Sequence, residues 1–371
     1  MSQFLKKLIK LKKKIYFEFL FLIALGALTS LSLPPYNFLF LNFFTFSLFF
    51  IYIFEKKKTS NKINAFFYGW FFGFGYFLTN LYWITISLTF DENFKFLIPI
   101  ALILIPAFLA IFYGIAIYIL FLFNISKPIG NLFLFSLLLG IIEFLRGIIL
   151  TGFPWNLIAY SFSNNLEIIQ IVSFIGTYAF NMLCISFFTA PAIFILRKNR
   201  KEIAVSIFFL LSPIILYMAG SSKIETFQSS KLIQNDYVIR AIGSNIDLNR
   251  FYGNSDTTLV IKELIELSKP NFDTKTIFIW PEGIIPNINQ SEFKDYKHLF
   301  KNKFNKDHIL GIGINSYKQD KGKDVFYNSF SFYDHEINLI NTYNKVNLVP
   351  FGEFLPFEKI LRNFGLKSLT N

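Results

Sequence analysis

Hydropathy divides the chain into two unlike halves. From Met1 to Leu216 the apolar residues fall into seven long runs, 16–33, 38–54, 65–90, 96–123, 131–151, 168–196 and 202–219, separated by short polar or basic loops. Each run is near or above the ~17–25 residues a helix needs to cross a bilayer, so each predicts a membrane span. Beyond Lys223 the period changes. Short β-rich runs at 237–246, 275–282, 308–315, 325–334 and 337–346 are interleaved with helix-spaced Leu and Ile at 257–267 and a second helical stretch near 291–304. Strand–helix–strand–helix followed by adjacent strands predicts an α/β sheet with helices on its faces and some hairpin pairing. The expected organisation is a helical membrane domain over 1–219 and a water-soluble domain over 220–371, with 220–235 as the linker.

Composition sharpens this division. Of 371 residues 53% are hydrophobic, which excludes an ordinary soluble pair of domains, and 51 are Phe, so an aromatic stripe says little by itself. The net charge of +12 resides mostly in the loops of the first half. Counted over alternate loops, fifteen Lys and Arg lie on one side (the N-terminus, 55–63, 124–130 and 197–201) and only Lys95 on the other. That asymmetry predicts a cytoplasmic N-terminus, and seven crossings then place the soluble half outside, in the periplasm of a Gram-negative cell. The first run is too long for a signal peptide and has no small-residue cleavage site before Pro34 and Pro35, so it reads as a retained helix. The basic excess belongs to membrane loops rather than to a clustered soluble face, and no nucleic-acid partner is expected.

Several chemistries drop out. The single cysteine, Cys184, lies within an apolar run, which excludes disulfides and thiolate zinc sites and predicts an inert buried thiol. His298, His308 and His335 lack metal-ligand spacing and are expected at solvated or strand-edge positions. No Walker loop is present, Gly311 and Gly313 read as close strand packing, and neither metal nor cofactor is expected. Within the fifth run, Glu143 and Arg146 stand at i and i+3 and are placed to pair with each other near the outer interface.

The residues suited to chemistry lie on loops leaving the strands. Glu282 follows an apolar strand in Trp280-Pro281-Glu282-Gly283, where a fixed carboxylate can act as a general base. Lys345 sits in YNKVNLVPFGEFLPF (343–357), where two prolines, a glycine and Glu353 surround an apolar turn. A random surface loop has no need of so much backbone constraint.

Taken in order, LPPYNF (33–38), GWFFGFGYFLTNLYWI (69–84), EFLRGIILTGFPWNLIAY (143–160), SNI (244–246), WPEG (280–283), GIG (311–313), YNS (327–329) and the 343–357 segment resemble the apolipoprotein N-acyltransferase family, the membrane-embedded branch of the nitrilase, or carbon–nitrogen hydrolase, superfamily. The resemblance implies about seven spans followed by a periplasmic α/β sandwich (αββα) in a bacterial inner membrane. It implies transfer of an acyl chain from a phospholipid donor to the diacylglyceryl-cysteine of an apolipoprotein acceptor, through a cysteine thioester. Glu282 then corresponds to the general base, Lys345 to the cation at the tetrahedral oxyanion and Glu353 to a supporting glutamate, with Tyr343 and Phe351 packing around them. The family nucleophile follows the lysine loop. No cysteine follows Lys345 here, so the expectation is a sandwich incomplete at its C-terminal end, with the nucleophile beyond Asn371. This sequence also departs from the family pattern at Gly243, Ser244 and Asn347, and Tyr252 best matches the aromatic expected after the first strand. Two other readings remain open: a membrane-anchored amidase or nitrilase using water, and a non-catalytic protein that binds lipid or lipoprotein.

Overall fold

The computed structural model describes residues 3–89, 92–230, 236–244, 256–320, 323–349 and 353–354. The chain separates into two compact units, Met1–Lys231 and Leu232–Asn371. Tyr252, Phe351 and the Asn245-Ile246 pair lie outside the described residues.

In the first unit every apolar run contributes a helix: α1 (Gln3–Ser30), α2 (Leu41–Lys56), α3 (Lys62–Asn80), α4 (Ile98–Leu120) and α5 (Pro128–Arg146). They are followed by the single turn α6 (Leu166–Ile169), α7 (Val172–Ile195) and α8 (Arg200–Ser229). Among the described residues four helical stretches are long and apolar enough to cross a membrane: Phe94–Leu120, Pro128–Arg146, Val172–Ile195 and Arg200–Ser229. The 65–90 run is a fifth only if α3 and the 3-10 helix Tyr82–Thr89 count together, because the chain bends by 48° between them. In the first run Tyr16–Ser30 forms the apolar C-terminal part of α1, and the second run gives the 16-residue α2, because the chain turns through Pro34 and Pro35 before it begins.

Local chemistry sets the helix ends. Asn61 caps α3 by accepting from the Asn64 N–H at 2.8 Å, and Asn199 with Glu202 forms a capping box at the start of α8. The segment expected as a linker from residue 220 is instead helical as far as Ser229, because no glycine-proline break follows Gly220. Glycines let the helices meet closely. A Cβ on Gly26 of α1 would lie 1.9 Å from Phe72 O, and one on Gly75 of α3 would lie 2.0 Å from Ile23 O. Such reciprocal backbone contact is how apolar helices gain packing where water gives no drive to associate. Cys184 is buried in α7, as its position in the run predicts.

The second unit is a mixed sheet in the order β1-β2-β3-β6-β7, formed by β1 (Val238–Ala241), β2 (Thr276–Trp280), β3 (His308–Gly313), β6 (Ser329–Tyr333) and β7 (Leu339–Asn344). β1, β2 and β3 are parallel, β6 runs antiparallel to β3, and β7 antiparallel to β6. A separate hairpin pairs β4 (Ser316–Asp320) with β5 (Lys323–Tyr327). The run 325–334, expected as one strand, is thus two strands in different sheets, parted at Asn328. Helix α9 (Thr257–Ser268) is capped by Asp256 and packs Ile261 and Leu264 onto Phe278, Trp280, Leu310 and Ile312. The helix expected near 291–304 is shorter, a 3-10 turn at Glu292–Tyr296 running into the single turn α10 (Lys297–Phe300). His308 is not solvated: it is buried at the start of β3, with Nε2 2.9 Å from Asn271 O and Nδ1 accepting the Asn305 N–H.

Candidate active site

Sheet topology gathers the candidate chemistry at one end. β2 and β7 both run parallel to β3, so the residues that leave them emerge on the same side, and β6 begins there because it is antiparallel. Glu282 leaves β2, Asn328 precedes β6 and Lys345 leaves β7. The carboxyl ends of strands are the usual binding edge of an open α/β sheet. Gly283 turns the chain away with φ +56°, the left-handed region that glycine enters at least cost. Gly313 permits the close approach of β3: a Cβ there would lie 2.5 Å from Glu282 Cα. The Lys345 N–H donates to Asn328 O at 2.8 Å and continues the β6–β7 ladder one residue past its end. Beneath it, Ser316, Ser329 and Asn344 form a polar cluster, with the two hydroxyls 2.7 Å apart and Ser329 Oγ donating to Asn344 Oδ1 at 2.9 Å.

Glu282, Lys345 and Glu353 come together. Lys345 Nζ donates to Glu282 Oε1 at 3.1 Å and to Glu353 Oε1 at 2.9 Å. Asn328 Nδ2 donates to the same two oxygens, to Glu353 Oε1 at 2.7 Å and to Glu282 Oε1. The Val349 N–H donates to Glu353 Oε2 at 2.7 Å, so both oxygens of Glu353 are engaged. Among the described residues nothing donates to Glu282 Oε2. The Glu282 side chain is 63% exposed against 17% for Glu353. One glutamate is therefore engaged on both oxygens and sheltered, while the other is exposed and has one oxygen to which no described residue donates.

Electrostatics follows the same division. Burial pulls the Lys345 ammonium down, but hydrogen bonds and charge from Glu353 and Glu282 outweigh it, and its pKa stands above the ordinary lysine value. Burial pushes the Glu353 carboxyl up, yet the Val349 N–H, the Asn328 amide and Lys345 together hold it below the ordinary carboxylate range. Lys345 is cationic and Glu353 anionic at neutral pH. Asn328 is the residue the sequence did not single out for a role. The sign available was an amide interrupting an aromatic-rich run where the strand divides. Tyr343, two residues before Lys345 on β7, stands exposed. No group of three or more His, Cys, Asp or Glu among the described residues is arranged to hold a metal ion.

The first unit has a cavity of about 570 Å³, walled by Pro34, Pro35, Tyr82, Trp83, Trp155 and Tyr160 among others. The Trp83 and Trp155 rings lie 5.3 Å apart. Its 153–156 wall is pinned by the Glu143–Arg146 pair. Arg146 donates to both Glu143 and the carbonyls of Phe153 and Trp155, the latter at 2.8 Å. Tyr113 donates to Glu143 Oε1 at 2.6 Å, and Tyr76 to Asn156 O at 2.7 Å.

The chain thus joins apolar helices, four or five of the described ones long enough to cross a membrane, to a mixed-sheet unit that carries a carboxylate–lysine cluster. Residues 25–190 match the family described as "Apolipoprotein N-acyltransferase N-terminal domain". The apolipoprotein N-acyltransferase of Rhizobium etli is 30% identical over 368 residues, an alignment covering 94% of this chain and 67% of that protein. That of Brucella melitensis is 31% identical over 314 residues, covering 81% and 57%. The chain belongs to the apolipoprotein N-acyltransferase family, a family of acyltransferases, and spans about two thirds or less of the length of these relatives.

Proposed function

We propose that this chain serves lipoprotein maturation, as part of an enzyme that moves an acyl chain from a phospholipid to the N-terminal diacylglyceryl-cysteine of an apolipoprotein. The observation carrying the reading is the Glu282–Lys345–Glu353 cluster at the strand ends of a chain in this family. In this reading Glu282 takes the proton first from the attacking thiol and later from the lipoprotein amine. Oε2 is the atom that accepts it. Lys345, held cationic, stabilises the oxyanion of each tetrahedral intermediate, and Glu353 anchors Lys345 without exchanging protons itself. The route calls for a thiol, and Cys184, sealed in α7, is not placed to supply it.

In the same proposal all seven long helices of the first unit cross the bacterial inner membrane with the N-terminus cytoplasmic. The second unit belongs to a nitrilase-like αββα sandwich on the periplasmic side. The charge asymmetry of the loops supports that orientation. The cavity between Trp83 and Trp155 supports the lipid donor, because an apolar, aromatic-walled space suits an acyl chain next to its interfacial ester.

The test uses the complete gene product in native membranes, supplied with labelled phosphatidylethanolamine and a diacylglyceryl-cysteine peptide. N-acylated peptide that disappears with Glu282→Gln supports the proposal. Release of free fatty acid or of ammonia from an amide, with no N-acyl peptide, would instead identify a hydrolase.

A further inference from the structure

The two donors of the cluster converge on one oxygen of each carboxylate. Lys345 Nζ and Asn328 Nδ2 both reach Glu282 Oε1, and both reach Glu353 Oε1. The four groups close a ring in which donors and acceptors alternate. Lys345 alone could not hold this arrangement. One ammonium faces two carboxylates, and like charges sharing a site repel, so the pair tends to separate or to capture a proton. The second donor is neutral, and its two N–H bonds on a single nitrogen suit it to bridge two acceptors. The backbone fixes that bridge, because Asn328 O accepts the Lys345 N–H at 2.8 Å and so ties donor to donor. With Oε1 occupied twice, the Glu282 carboxylate cannot rotate without losing two charge-assisted hydrogen bonds.

We propose that Asn328 is a positioning residue: with Lys345 it locks Oε1 of both glutamates and leaves Oε2 of Glu282 as the one carboxylate oxygen of the pair to which no described residue donates, and so the one placed to take a proton. The catalytic meaning of that oxygen rests on the acyl-transfer reading above. The geometry of the lock does not.

The experiment compares the full chain with Asn328→Ala and Asn328→Asp, carrying ¹³Cδ-labelled glutamate in detergent, with the Glu282 and Glu353 resonances assigned by Glu282→Gln and Glu353→Gln. Asn328→Ala removes the bridge. Asn328→Asp keeps its shape but replaces the donor with a third carboxylate. The expected result is that the Glu282 carboxyl resonance moves in both variants and that the Glu353 titration midpoint rises, further in Asn328→Asp. Unchanged Glu282 and Glu353 resonances in a folded variant would overturn the proposal. If Asn328→Ala unfolds, Asn328→Asp carries the test, and collapse of both would make the residue structural and overturn it equally.

A second arm measures transfer by the complete enzyme, where Asn328→Asp should lower kcat on the order of 10²-fold with KM unchanged, the loss expected of a misaimed base. Moved resonances without any transfer in the unaltered enzyme would leave the lock standing and remove the acyltransferase reading. Transfer that survives Asn328→Asp with kcat unchanged would overturn the positioning role.

Discussion

The molecule builds a glutamate–cation pair twice, to opposite ends. In the first unit Glu143 and Arg146 are fully buried, Glu143 accepts on both oxygens, and Arg146 gives two further donors to the Phe153 and Trp155 carbonyls. In the second unit Glu282 is largely exposed and, among the described residues, one of its oxygens has no donor. A saturated charge pair can hold a loop but has no lone pair to lend to a reaction. An unsaturated pair at a sheet edge can. What separates scaffold from chemistry here is burial together with the tally of acceptors left open among the described residues: the first pair is sealed from water, while Glu282 is exposed.

The comparison breaks most sharply through stability. Arg146→Met would strand Glu143 in an apolar interior and should destabilise the first unit by about 3–5 kcal/mol, whereas the double variant Glu143→Gln/Arg146→Met should recover a large part of that loss. Thermal unfolding in detergent measures both, and a mild single variant would mean that water reaches this pair. Glu282→Gln should show the reverse behaviour: unfolding unchanged and acyl transfer by the complete enzyme reduced about 10²–10⁴-fold. A Glu282→Gln enzyme that still transferred acyl chains would place the base elsewhere.

A smaller, graded effect concerns pH. Glu353 is held below its unfolded pKa, so its contribution to stability is full above the ordinary carboxylate range and is lost as pH falls through the lower, folded value. Lys345 is held above its unfolded pKa, so its contribution is full below the ordinary lysine range and is lost as pH rises through the higher, folded value. Stability of the second unit should therefore be level through neutrality and fall at both extremes, and Glu353→Gln should flatten the acid limb in pH-dependent unfolding. The smallest effect is expected at Cys184. It should resist maleimide until the protein is denatured, and Cys184→Ala should leave unfolding within about 1 kcal/mol of the parent. Labelling of the native chain would show that α7 opens.

Much of this was legible in the chain. Long apolar runs force helices, so all seven were found, and so was the Glu143–Arg146 pair at i, i+3. Hydropathy does not register that the third run bends near Leu81 or that prolines 34 and 35 delay α2, so the helices of these runs differ from the runs themselves in length and shape. Lys345 and Glu353 were suggested by backbone constraint in their own segment. Asn328 was not, since its importance comes from β6 running antiparallel, a long-range pairing with no local periodicity.

Gly313 carries no charge and donates nothing to the cluster, yet the atom it lacks would collide with Glu282 Cα and, at 2.6 Å, with Pro281 O. Every substitution of a glycine adds that atom. In a genetic screen this position therefore has no neutral alleles: any change would score as loss of activity and be mistaken for a catalytic residue. A suppressor search would reveal the difference, because compensating changes would arise in the backbone turn at 281–283 rather than in any group that handles protons.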